Sequence, residues 1–74
     1  MDRNQCRGAR GLLDWTQARL AAKSGVSGLT IRNYETGKSD LQSATRRILE
    51  QTFEAAGITF TNGGEPGVKL RKLS

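Results

Sequence analysis

The chain has 74 residues, a length that fits one small domain and leaves no room for a separate sensing or catalytic domain. Twelve Lys and Arg against seven Asp and Glu give a net charge of +5, which favours a polyanionic partner, nucleic acid before membrane. Histidine is absent and Cys6 is the only cysteine, so disulfide frameworks, Cys/His zinc sites and histidine-based acid/base catalysis are excluded.

No long apolar run suggests a membrane span, and the opening Met-Asp-Arg-Asn-Gln lacks the apolar stretch of a signal peptide; the expected location is cytoplasmic. The first helix is predicted from Asn4 to Leu13, with Cys6, Ala9 and Leu13 on one face and Arg3, Arg7 and Arg10 elsewhere. Cys6 is expected to pack as a small hydrophobe. Gly8 and Gly11 weaken this helix by about 1 kcal/mol each relative to alanine, and close approach of a neighbouring helix would explain them.

Thr16 can cap a second helix over Gln17 to Lys23, with Trp15 placed to staple onto Leu20. The same grammar repeats at once, with Ser27 as cap, Val26 before it and Ile31 as staple partner. Two starts so close together require a tight turn through Ser24 and Gly25, and Gly25 is expected at positive φ. The third helix should run from Gly28 to Glu35 and close at Gly37, with Ile31 and Tyr34 inward and Leu29, Arg32 and Asn33 outside. Residues 16–37 therefore read as a helix-turn-helix, a device that places one helix in the major groove of DNA.

Asp40 can cap a fourth helix from Leu41 to about Ala56, ended by Gly57. Leu41, Ala44, Ile48 and Thr52 make one stripe, and Leu49, Phe53 and Ala56 widen it, which suggests two contact surfaces. Beyond it, Ile58-Thr59-Phe60-Thr61 and Val68-Lys69-Leu70-Arg71 alternate around a turn-rich Asn62-Gly63-Gly64-Glu65-Pro66-Gly67 segment, the pattern of a β-hairpin. A lone hairpin is marginal in water, so it must pack on the fourth helix or pair its edge with a second chain; the other reading is a frayed, disordered tail. Two units follow, 1–57 and a 58–74 tail assigned to dimerisation through Phe53, Ile58, Phe60, Val68 and Leu70.

Trp15-Thr16-Gln17, Leu20-Ala21, Ser24-Gly25-Val26-Ser27, Thr30-Ile31 and Glu35-Thr36-Gly37-Lys38 together resemble the Xre-type helix-turn-helix family of Cro and phage-repressor-like regulators, over roughly Arg7 to Gly57. The resemblance implies a mainly α, lambda-repressor-like bundle of four short helices, here followed by the C-terminal β-hairpin or strand. It also implies base contacts from Ser27, Gly28, Leu29, Arg32 and Asn33 at the start of the recognition helix, residues 27–36. Arg32 suits guanine, Asn33 adenine and Leu29 a thymine methyl, whereas Gly28 departs from the usual polar residue and could instead allow close backbone approach. Gln17, Thr30, Lys38 and Ser39 are the implied phosphate contacts, and Arg10 with Glu35 the implied buried ion pair between the first and third helices.

Thr36-Gly37-Lys38-Ser39 imitates the end of a phosphate-binding P-loop, but Arg32 stands where that motif needs glycine and a helix precedes it in place of a strand. The carboxylates are scattered and no nucleophile is paired with a base, so no enzyme, cofactor or metal is expected. The expected function is a homodimeric regulator that reads a pseudo-palindromic operator and represses or activates by occupying a promoter. The resemblance implies genes of mobile elements as its expected targets. The competing class is an antitoxin or adaptor whose basic tail, Lys69, Arg71 and Lys72, grips a protein partner, and a third is nonspecific nucleic-acid binding.

Overall fold

The computed structural model describes residues 1–71. Lys72, and with it the end of the tail to Ser74, lies outside the described residues. Four helices and one hairpin follow in order: α1 Arg3–Leu13, α2 Gln17–Ser24, α3 Gly28–Glu35, α4 Ser43–Ala55, β1 Ile58–Thr61 and β2 Gly67–Leu70.

Helix α1 begins one residue earlier than periodicity suggests because Asp2 and Gln5 close a capping box: Asp2 accepts from the Gln5 main-chain N–H at 2.7 Å, and the Gln5 side chain accepts from the Asp2 N–H at 2.8 Å. It stops at Asp14, a residue with a β-carbon held at φ 57°, ψ 40°, where glycine is the usual choice. Gly25 ends α2 at φ 76°, as its place between two caps demands.

The start of α4 differs from expectation. Asp40 does not cap it; Oδ1 of Asp40 instead accepts from the Leu41 N–H at 2.8 Å and from Arg46 Nη2 at 2.7 Å. Leu41 is thereby turned into the core before the helix begins, and Gln42 takes the cap position without a side-chain hydrogen bond. The wide stripe of α4 is also divided: Leu49 and Phe53 are buried, while Ala44 and Ile48 are exposed.

Cys6, Ala9, Leu20, Ile31, Tyr34, Leu41, Leu49, Phe53 and Ile58 form the core. Trp15 stacks on Phe53 with ring centroids 6.0 Å apart, and Phe60 meets the same ring edge-on. The hairpin pairs antiparallel, Ile58 with Leu70 and Phe60 with Val68, so those four side chains share one face. That face lies on the helices, with β2 against α1 and β1 against α4.

Gly8 explains the close seat of β2: a β-carbon there would stand 3.1 Å from Val68 Cγ2. The close neighbour of α1 at Gly8 is thus a strand and not a helix, and at Gly11 nothing lies within 4 Å of where a β-carbon would stand. Gln5 completes the join. Its buried Nε2 donates to the main-chain carbonyls of Thr61 at 3.1 Å and Gly67 at 3.0 Å, across the mouth of the hairpin.

This seating corrects the assignment of a dimer surface. Phe53 is 0% exposed and Ile58 1%, both enclosed by the protomer's own core, so neither has surface to offer a second copy. Phe60 and Val68 are half-buried on the same inward face, and Leu70 alone of the five is exposed, at 45%.

Candidate nucleic-acid interface

Helices α2 and α3 meet through a three-residue turn, Gly25 to Ser27. Thr16 Oγ1 accepts from the Arg19 N–H at 3.0 Å to start α2, and Ser27 Oγ accepts from the Leu29 N–H at 3.2 Å to start α3. Where the helices cross, a β-carbon on Gly28 would lie 4.0 Å from Ala21 Cβ, an ordinary contact distance. Glycine at 28 is therefore not required by the packing of the protomer itself.

Glu35, the last residue of α3, is 2% exposed and ties three helices together. Arg10 of α1 donates to both carboxylate oxygens, from Nε to Oε2 at 2.8 Å and from Nη2 to Oε1 at 2.6 Å. Gln17 Nε2 of α2 donates to Oε1 at 3.0 Å, and Cys6 Sγ donates to Oε2 at 3.2 Å. Burial alone would raise the Glu35 carboxyl, but the hydrogen bonds from Arg10, Gln17 and Cys6 outweigh it and hold the group below the ordinary carboxylate range. Cys6 moves the other way: burial, reinforced by its bond to Glu35, pushes the thiol up and keeps it protonated as a donor.

The main-chain end of α3 is held as well. Arg3 Nε donates to the Tyr34 carbonyl at 3.0 Å and Arg7 Nη1 to the Glu35 carbonyl at 3.1 Å. Beyond the helix, Gly37 at φ 81° reverses the chain, and the N–H groups of Lys38 and Ser39 return to the Asn33 carbonyl at 2.9 and 3.2 Å. The loop that carries Lys38 and Ser39 is thus folded back beneath α3.

A helix-turn-helix family model matches residues 7–54, from Arg7 within α1 through all but the last residue of α4. The chain belongs to the helix-turn-helix family of Xre/Cro type. This family is one of DNA-binding regulators, and the protein is a DNA-binding regulator in that general sense. No curated protein matches the chain. Among the described residues no helix is long and apolar enough to cross a membrane.

On this helix-turn-helix protein the sequence-predicted residues are distributed as follows. Leu29 and Arg32 are exposed on α3, Asn33 and Thr30 are half-buried there, and Ser27 and Gly28 sit at its start. Lys38 and Ser39 are exposed in the loop. Gln17 is the exception to the expected geometry, since its side-chain amide points to Glu35; its main-chain N–H, in the first turn of α2, has no intrahelical acceptor.

Sequence reasoning missed Gln5, Arg3 and Arg7. The Asp2-to-Gln5 capping box was readable as Asp-x-x-Gln before an apolar periodic run, and it would have located the true start of α1. The second task of Gln5, holding hairpin carbonyls 56 and 62 residues away, leaves no local signal.

Proposed function

We propose that the protein is a sequence-specific transcriptional regulator that binds a pseudo-palindromic operator as a homodimer. The observation that carries this reading is the presentation of α3: Leu29 and Arg32 project from a helix whose far end is fixed to α1 and α2 through Glu35. A rigidly held helix with a free outer side is what major-groove reading needs, because base contacts tolerate little error in position. Arg32 donates to guanine, Asn33 pairs with adenine, and Leu29 meets a thymine methyl. The Gln17 main-chain N–H, Thr30, Lys38 and Ser39 contact phosphate around them.

The dimer places two such helices about 34 Å apart on one side of the duplex. With Leu29 turned to the DNA, its surface draws on the other large apolar side chains left exposed, Leu12 on α1 at 44%, Ile48 on α4 at 43% and Leu70 on β2 at 45%. The free edges of the two-stranded sheet are the other candidate contribution.

Selection of bound sequences from a random duplex pool tests the reading. An inverted repeat with half-sites one helical turn apart is the expected product, and Arg32→Ala and Asn33→Ala should each relax selectivity at one position by about 1–3 kcal/mol. Recovery of no preferred sequence at any salt concentration would overturn it.

A further inference from the structure

Outside the α2–α3 unit, the most suggestive feature is a row of arginines on α1. Arg3, Arg7 and Arg10 follow at spacings of four and three, which places them along one side of the helix. Arg10 is neutralised by Glu35. Arg3 and Arg7 are not: among the described residues neither lies within ion-pair distance of a carboxylate.

Both are nevertheless held in place. Their partners are carbonyls of the last turn of α3, and a carbonyl fixes a guanidinium without cancelling its charge. Arg7 also donates to Asn4 Oδ1. The Arg3 guanidinium lies over the Tyr34 ring, 5.7 Å from its centroid, and beside Gly37, where a β-carbon would stand 3.8 Å from its Nε. Arg3 is thus anchored against the turn whose next residue is Lys38, and both Arg3 and Arg7 are exposed.

We propose that Arg3 and Arg7 form, with Lys38, a phosphate grip that extends the DNA backbone contact from the loop after α3 onto α1. The proposal rests on the DNA-binding reading above and adds residues of a different helix to it. The C-terminal end of α3 carries partial negative charge, which by itself would repel a phosphate passing the loop. Two guanidiniums bonded to those carbonyls cover that end and present unused N–H donors outward. A guanidinium already fixed by a carbonyl also loses less conformational freedom when it meets a phosphate than a free side chain does.

The test is the salt dependence of binding to a duplex carrying the selected site, for the full chain and for Arg3→Gln, Arg7→Gln and the double variant, with helical content followed by circular dichroism. Glutamine removes the charge and keeps an amide donor for the α3 carbonyl. The plot of log affinity against log salt should become shallower by about 0.9 for each arginine removed, with the ratio between selected and scrambled duplex unchanged at fixed salt. Arg3→Lys with Arg7→Lys should restore the slope.

A folded double glutamine variant with the original slope overturns the proposal even if its affinity falls, since that result describes a structural role alone. A slope loss that lysine does not restore overturns it as well. Should the double variant unfold, Arg7→Gln decides by the same slope. Failure to select any sequence instead removes the operator reading, and the slope on random duplex then still decides the grip.

Discussion

Glu35 concentrates the residue-scale energetics, because a carboxylate 2% exposed is tolerable only while its donors are present. Arg10→Met leaves that charge buried with only Gln17 and Cys6 beside it, and should cost about 3 kcal/mol in denaturant unfolding. The folded pKa of Glu35 is lowered, so its contribution is fully present above the ordinary glutamate value of about 4.3 and is lost as pH falls through the lower folded value. Stability of the wild type should therefore decline as pH falls below about 4, and Glu35→Gln, less stable at pH 7, should show a flatter acid limb. Gly28 offers an independent residue-scale check. A β-carbon there has room beside Ala21, so Gly28→Ala should raise stability by about 0.5–1 kcal/mol through the unfolded chain. If the glycine serves close approach of the α3 backbone to DNA, the same variant should bind its operator more weakly while melting at a higher temperature; unchanged affinity would assign Gly28 no part in binding.

At the scale of elements, α1 joins the two halves of the molecule. One set of its residues, Gln5 and Gly8, receives the hairpin, and another, Arg3, Arg7 and Arg10, holds the end of α3. Gln5→Glu separates these roles: glutamate keeps the capping box but turns a carboxylate oxygen toward the Thr61 and Gly67 carbonyls. We expect a loss of about 3 kcal/mol, with amide exchange rising in β1 and β2 before α2 and α3; uniform exchange throughout would show that the hairpin has no separate stability. The end of α1 is improvable. Asp14 places both a left-handed β-carbon and a negative charge at a helix C-terminus, and Asp14→Gly should gain about 0.5–1 kcal/mol in thermal unfolding. These features also mark where the sequence was legible. The caps at Thr16 and Ser27 and the turn at Gly25 are local chemistry, so α2 and α3 could be placed nearly to the residue. The start of α4 could not, because Asp40 is claimed by Arg46 six residues away and by Leu41 turning inward. Likewise the alternating strands announced a hairpin, but which body its apolar face would meet depends on Gly8 and Gln5, distant residues whose role is tertiary.

For the whole molecule, the inward-facing hairpin changes how association must be probed. Removing the chain from Ile58 onward would delete a core side chain that is 1% exposed and uncover Phe53. Such a loss, about 2–5 kcal/mol for the isoleucine alone, is comparable to what one small core supplies, so the truncated chain should unfold and its sedimentation would say nothing about an interface. A charge placed on exposed surface is the informative perturbation. Leu70 and Thr59 lie on opposite faces of the same two-stranded sheet, and both are exposed. If the proposed dimer uses the Leu70 side, Leu70→Glu should sediment as a folded monomer at concentrations where the wild type is dimeric, and it should occupy a full operator little better than a single half-site. Thr59→Glu should leave both properties as they are. The reverse pattern would move the interface to the outer, polar face of the hairpin, and two unaffected variants would move it off both faces, to the strand edges or to the exposed Leu12 of α1 and Ile48 of α4.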